Sequence, residues 1–344
     1  MSTPETLKDF LPRLMRSEHL SRAEASRLLE CLLSGDATDA QIAGTLIALK
    51  NKGETVEELA GLAEAMRARA TPIKCAHKCF IDTAGTGSSS AKTFNVSTAA
   101  AFVIAGAGLP VAKHGNRAAS SKCGSADVLS VLGVNVQTQP SVSENCLNEI
   151  GICFMFAPLY HGATARVAGV RRELGVHTTF NLLGPLTNPA RAPRQIIGVW
   201  NRELIEPLAH TLTLLGTEHA WVVHGADGLD EVTIADATFV AETKDGEIRT
   251  FEIKPEDFGL SRAELDDLRG GNAEENAAII RSVLSGERKD SARSLVLINA
   301  AAALFVGGLA DSLPAAMELA AESIDAGRAA GKLSELVRLT NASN

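Results

Sequence analysis

The 344-residue sequence predicts an α/β protein, with helices first and a mostly parallel central sheet after them. Through the first 70 positions apolar residues recur at three- and four-residue spacing, as amphipathic helices require. Beyond Pro72, six short apolar runs are each followed by a Gly-rich or polar turn and then a helical pattern. That alternation builds a mostly parallel sheet with helices on its faces.

In order, the helical stripe runs through Leu7, Phe10 and Leu14, then Leu28, Leu29 and Leu32, then Ile42, Leu46 and Leu49, and finally Leu59 and Leu62, with Gly35 and Gly53 as punctuation. The six apolar runs, each expected as a strand, are CFIDTAG, LPVAKHG, VNVQT, ICFMFAP, RQIIGVW and HAWVVHG. Residues 238–253 carry two β-prone runs around Lys244-Asp245-Gly246, a hairpin signal. Helices are expected again near 273–285, 293–306 and 313–339. The stretch from Phe94 to Ala112 is the least charged, yet Asn95, Ser97, Thr98 and Pro110 make it a buried helix-turn-strand and not a membrane span.

Composition narrows the function. Hydrophobic residues are 45% and charged residues 22%, which excludes wholesale disorder and a fibrous repeat. A net charge of -8 disfavours a broad grip on nucleic acid or an anionic membrane, so an anionic ligand must be held by a local cluster. Six scattered cysteines fit reduced thiols, and the charged N-terminal stretch lacks the apolar core of a secretion signal, so a cytoplasmic protein is expected.

In open parallel sheets ligands bind at the carboxyl ends of strands, and four of the turns there are unusual. The first runs from Asp82 to Thr98. Small residues let the backbone approach an anion, successive N–H groups point at it, and the Ser97 and Thr98 hydroxyls sit at a helix start. It lacks the endings of the common nucleotide-binding loops, and a tight turn with a hydroxyl cap is an equally plain reading. The second, Lys113 to Asp127, packs three cations, an amide, hydroxyls and two glycines beside a strand that reads as buried. The third, Tyr160-His161-Gly162-Ala163, leads into a helix carrying Arg166, Arg171 and Arg172, where His161 and Arg171 could share a groove; alone it reads as a solvated helix face. The fourth, His224 to Glu231, offers adjacent carboxylates at a strand end, hard oxygen ligands suited to Mg²⁺. Cys75 and Cys79 lack the partner pair of a closed zinc site. No Ser-His-Asp or Cys-His relay and no flavin or nicotinamide motif can be assembled, so the site reads as built to hold phosphates and metal.

Taken together, the loop from Asp82 to Thr98, KHGNRAASSKCGSAD, VRRELG, FNLLGPLTNP and HGADGLDE closely resemble, in order and over nearly the whole chain, the anthranilate phosphoribosyltransferases of tryptophan biosynthesis. The resemblance implies a small N-terminal helical domain, residues 1–70 joined by part of 160–190, hinged to an α/β domain over 73–344. It implies a homodimer through the helical domains and an active site in the cleft between the helical and the α/β domain. The implied reaction transfers the phosphoribosyl group of 5-phosphoribosyl 1-diphosphate (PRPP) to the amine of anthranilate, with Mg²⁺, two ions per site. Around PRPP it puts Gly85, Ser88, Ser89, Thr93, Asn95, Val96, Ser97 and Thr98. It adds Lys113, His114, Gly115, Asn116, Arg117, Ala118, Ala119, Ser120, Ser121 and Ser125. Around anthranilate it puts Gly85, Asn116, His161 and Arg171, and around the metal Ser97, Asp230 and Glu231.

Some positions depart from that pattern. Ser88-Ser89 stand where Gly-Asp is usual, Gly162 and Gly169 where prolines are, His177 where an arginine is frequent, and Cys123 where a serine is. Two rival readings are a pyrimidine nucleoside phosphorylase-like enzyme and a non-catalytic paralogue that binds nucleic acid. The acidic balance and the retained Asp230, Glu231, Asn116 and Arg171 disfavour the second.

Overall fold

Four helices open the chain: α1 (Leu7–Met15), α2 (Arg22–Leu33), α3 (Asp39–Lys52) and α4 (Val56–Arg69). The last three begin with the same device. Ser21, Thr38 and Thr55 accept from the third helical N–H, while Glu24, Gln41 and Glu58 reach back to the cap's own N–H. Each cap contributes about 1 kcal/mol to starting its helix. The structure, a computed structural model, describes residues 5–87, 93–118, 122–264 and 268–342.

The larger α/β part follows as β1 (Ile81–Gly85), α5 (Val96–Gly106), β2 (Val111–Gly115), α6 (Ser125–Val131), α7 (Pro140–Ile150) and β3 (Ile152–Phe156). Next come α8 (Ala157–Tyr160), α9 (Ala165–Leu174), α10 (Thr179–Leu186), β4 (Arg194–Gly198), α11 (Ile205–Leu214) and β5 (His219–Gly225). The hairpin β6 (Thr238–Lys244) and β7 (Glu247–Ile253) turns on Asp245 and Gly246, whose φ of 52° and 86° suit a two-residue turn with both residues left-handed. Helices α12 (Ala273–Leu284), α13 (Ser291–Val306), α14 (Leu313–Asp325) and α15 (Arg328–Asn341) close the chain.

The strands form one sheet in the order β3-β2-β1-β4-β5-β6-β7. The first five are parallel, and the hairpin adds two antiparallel strands at one edge. The chain steps outward from β1 to β2 to β3, then crosses back to β4 on the other side of β1. That reversal opens a crevice at the carboxyl ends of β1 and β4.

Alternate residues face two cores, as the period of a strand dictates. Ile196, Trp221, Val223 and Val240 belong to one core with α5, α7 and α12–α15. Ile197, Val222 and Ala241 belong to the other, which runs on through α9, α10 and α11 into the four N-terminal helices.

Two expectations were wrong. VNVQT forms no strand: Val134, Val136 and Thr138 are buried in alternation, but the backbone bonds to the Leu129 carbonyl and to side chains instead of a neighbouring strand. The Asn135 N–H donates to Thr340 Oγ1 at 3.2 Å, and Asn341 Nδ2 donates to the Gly133 carbonyl at 2.9 Å. The expected last helix is two helices, broken at Gly327 with φ of 71°.

Candidate active site

The crevice holds a cleft of about 1330 Å³, bordered by the turns after β1, β2 and β5 and by α9 and α10. Close backbone approach shapes it. A Cβ on Gly198 would stand 1.6 Å from the carbonyl oxygen of Asp230, so only glycine at the end of β4 lets the acidic turn lie across it. The Thr86 N–H donates to the Gly198 carbonyl at 2.9 Å, locking the end of β1 to the same point. Within the turn, Asp227 Oδ1 accepts the Leu229 N–H at 3.0 Å and its other oxygen accepts the Thr233 hydroxyl. Asp227 therefore shapes the turn, and Asp230 and Glu231 line the cleft beside Gly85.

At the floor of the cleft lies a largely buried cluster of two acids and one cation. Lys113 Nζ donates to the Thr83 carbonyl at 2.5 Å and stands 3.4 Å from Ser97 Oγ. Glu231 Oε1 accepts the Ser97 N–H at 3.3 Å, whereas its buried Oε2 has no protein partner. Burial, and then the adjacent Asp230 carboxylate, push Glu231 up to about 8, with Lys113 opposing. Burial likewise raises Asp82 to about 6 and lowers Lys113. A buried carboxylate oxygen with no donor beside a second carboxylate fits a hard cation. Among the described residues no three His, Cys, Asp or Glu side chains gather to hold a metal by themselves. Such a cation would complete its shell with other oxygens, as Mg²⁺ does with phosphates and water.

The second loop is organised by Asp127 in the first turn of α6. Its Oδ2 accepts the Ala118 and Gly124 N–H groups at 3.0 and 2.9 Å, and its Oδ1 accepts Arg117 Nη1 at 3.0 Å. Ser125 Oγ donates to the Asn116 carbonyl at 3.3 Å. The described ends of the loop, at residues 116–118 and 124–125, are thereby drawn together at the start of α6.

On the opposite wall the rings of His114 and His161 lie 5.1 Å apart. His114 Nδ1 bonds the Gly184 carbonyl at 3.2 Å, but its Nε2 and both nitrogens of His161 have no partner. Burial pushes His114 down to about 3 and His161 to about 4, so both rings are neutral. Arg171, lowered by burial, lies 5.2 Å over the Phe180 ring with Nη2 3.5 Å from Asn181 Oδ1. His177 packs edge-on against Trp200 at 4.5 Å.

Of the expected site residues, Gly85, Thr93, Asn95, Ser97, Thr98, Lys113, His114, Gly115, Asn116, Arg117, Ala118, Ser125, His161, Arg171, Asp230 and Glu231 all border this one cleft. Val96 is different: its side chain is in the core, leaving it only a backbone contribution. Ser88, Ser89, Ala119, Ser120 and Ser121 lie outside the described residues.

Sequence reasoning missed a wall formed by Arg269, Gly270, Gly271 and Asn276. Asn276 Nδ2 donates to Asn95 Oδ1 at 3.0 Å and its own Oδ1 accepts the Gly271 N–H at 2.8 Å. The available signal was the Gly270-Gly271 pair: a Cβ on Gly270 would come within 2.4 Å of the Thr93 carbonyl.

The helical bundle domain of a glycosyl transferase family matches residues 8–70, and that family's a/b domain matches residues 77–330. The chain is 53% identical over 331 residues to the anthranilate phosphoribosyltransferase of Moorella thermoacetica, covering 96% of this chain and 97% of that one. The crystal structure of the Thermus thermophilus anthranilate phosphoribosyltransferase superposes with a TM-score of 0.90 at 40% identity, covering 96% of this chain and 99% of that one. The Saccharomyces cerevisiae enzyme, in complex with PRPP and Mg, gives 0.89 at 27% identity with 98% of each chain covered.

Proposed function

The chain belongs to the anthranilate phosphoribosyltransferases, and from that premise we propose how its cleft works. The enzyme moves the phosphoribosyl group of PRPP onto the amine of anthranilate with Mg²⁺, giving N-(5-phosphoribosyl)anthranilate and pyrophosphate in tryptophan biosynthesis. The observation that carries this reading is the convergence of the 82–98 turn, the 113–125 loop and the Asp230-Glu231 pair on one cleft. Neither a nucleic-acid-binding paralogue nor a nucleoside phosphorylase is supported.

As the bond from the anomeric carbon to pyrophosphate breaks, positive charge grows on the ribose and negative charge on the leaving group. Ser97, Asp230 and Glu231 would hold Mg²⁺, two ions per site, and the metal would supply positive charge to the departing diphosphate. The unpartnered Glu231 Oε2 supports that assignment. PRPP is held by Gly85, Thr93, Asn95, Ser97 and Thr98, by the backbone of Val96, and by Lys113 to Ala118 with Ser125. Ser88, Ser89 and Ala119 to Ser121 belong to the same two loops and extend this assignment.

Anthranilate lies against Gly85, Asn116, His161 and Arg171. Arg171 carries a guanidinium that no carboxylate salt-bridges among the described residues, a ready partner for the substrate's carboxylate. The neutral His161 offers an acceptor to the amine. The chain supplies position and field and keeps water from the activated sugar, with no covalent nucleophile.

Residues 1–70 with part of 160–190 act as one helical unit hinged to 73–344; Val167, Val170 and Leu183 pack into the core of the four N-terminal helices and support that division. A homodimer through this unit would cover Met15, 74% exposed at the end of α1. Six free thiols fit a reducing cytoplasm. No helix among the described residues is long and apolar enough to cross a membrane.

The test is direct. Purified protein with PRPP and Mg²⁺ should quench anthranilate fluorescence, and omission of either should stop the loss. Fluorescence that stays constant in the complete mixture rejects the reading.

A further inference from the structure

We propose that the crevice between the end of α4 and the turn after α11 is a second anion site, shaped for a small phosphate-bearing ligand. It encloses about 420 Å³ and shares no lining residue with the catalytic cleft.

The charges on its wall do not balance. Glu64 is already matched, its two oxygens accepting Arg22 Nε at 2.9 Å and Nη2 at 2.5 Å. Arg67, largely buried, donates only to carbonyls: Nε to Leu186 at 2.8 Å and Nη1 to Leu215 at 3.2 Å. Arg191 lines the same crevice, and among the described residues neither arginine forms a salt bridge with a carboxylate. Burial, and then repulsion from Arg191, bring Arg67 down to about 10, with Glu64 opposing. Arg67 is held inside the crevice and the exposed Arg191 stands at its mouth, so an oxyanion entering there could accept from both guanidinium groups.

The backbone points the same way. Arg191 has φ of 53°, a left-handed conformation that costs a side-chain-bearing residue on the order of 1 kcal/mol. The site also touches the catalytic cleft through the chain. Leu186, whose carbonyl takes Arg67, lies between Gly184 and Thr187, both on the cleft wall. A bound anion would brace that segment.

Phenylglyoxal modification of the full-length enzyme with and without inorganic phosphate, read peptide by peptide by mass spectrometry, tests the site. Saturating phosphate should slow modification of Arg191 roughly tenfold, and Arg67→Gln should remove that protection. Protection of Arg117 in the catalytic cleft should persist in the variant, which reports that it is folded. Arg191 reacting equally fast with and without phosphate while Arg117 is protected overturns the proposal, as does full protection of Arg191 in Arg67→Gln.

Discussion

The backbone N–H of Ser97 donates to Oε1 of Glu231 at 3.3 Å, joining the start of α5 to the acidic turn after β5 across 134 residues of sequence. One link thereby sets the hydroxyl of Ser97, the helix start and the acid pair on the same cleft. Lys113 completes the cluster from β2. Under the proposed function this arrangement would hold the pyrophosphate leaving group and a hard cation in one place, which is what pyrophosphate departure requires.

Glu231→Gln keeps the shape and the Ser97 hydrogen bond but removes the anionic ligand. Turnover at a fixed Mg²⁺ concentration should fall about 10²- to 10³-fold, with the Mg²⁺ titration displaced to higher concentration. Melting of the metal-free variant should be no lower than that of the parent, because the carboxyl's buried Oε2 has no partner to lose. An unchanged Mg²⁺ dependence contradicts the assignment.

Gly198→Ala would put a methyl group 1.6 Å from the Asp230 carbonyl oxygen, so the acidic turn must move. Activity should drop by about 10²-fold or more, and stability by roughly 1–3 kcal/mol. Steady-state kinetics and a denaturant melt measure both; a variant with parental kcat means the turn is not held as described.

Arg171→Ala should raise KM for anthranilate about 10- to 100-fold with little change for PRPP, since the substrate carboxylate loses its charged donor. Equal effects on the two substrates would remove Arg171 from the acceptor site.

His161 is held near 4 by burial, against an ordinary 6.5. The unfolded chain takes up that proton first, so the stability tied to His161 is complete above pH 6.5 and is lost as the pH falls from 6.5 toward 4. The loss amounts to about 3 kcal/mol. Urea unfolding across that range should show His161→Gln losing less stability than the parent by about that amount; parallel profiles would mean the ring is not buried neutral.

Much of this was legible because the informative features are local. Five of the six apolar runs became strands, and the turns after β1, β2 and β5 carry their donors and acids within fifteen or so residues each. What was hidden depends on distant partners. Val134 and Val136 alternate in burial like a strand, but Thr340 and Asn341 satisfy that backbone, more than 200 residues away. Asn276 looks like an ordinary polar residue near a helix start, and only its bond to Asn95, 181 residues earlier, puts it in the cleft wall. Asp227 resembles Asp230 in sequence, and only the Thr233 and Leu229 contacts mark Asp227 as a turn-former.

The convergence of three segments on one leaving group is tested most directly by a crystal of this enzyme soaked with PRPP and Mn²⁺, the metal located by anomalous scattering. The predicted result is metal density at Asp230 and Glu231, with the diphosphate bridging from it to the 85–98 turn and the 113–125 loop. Diphosphate bound away from the acid pair, or metal density at any other carboxylates, would contradict the account.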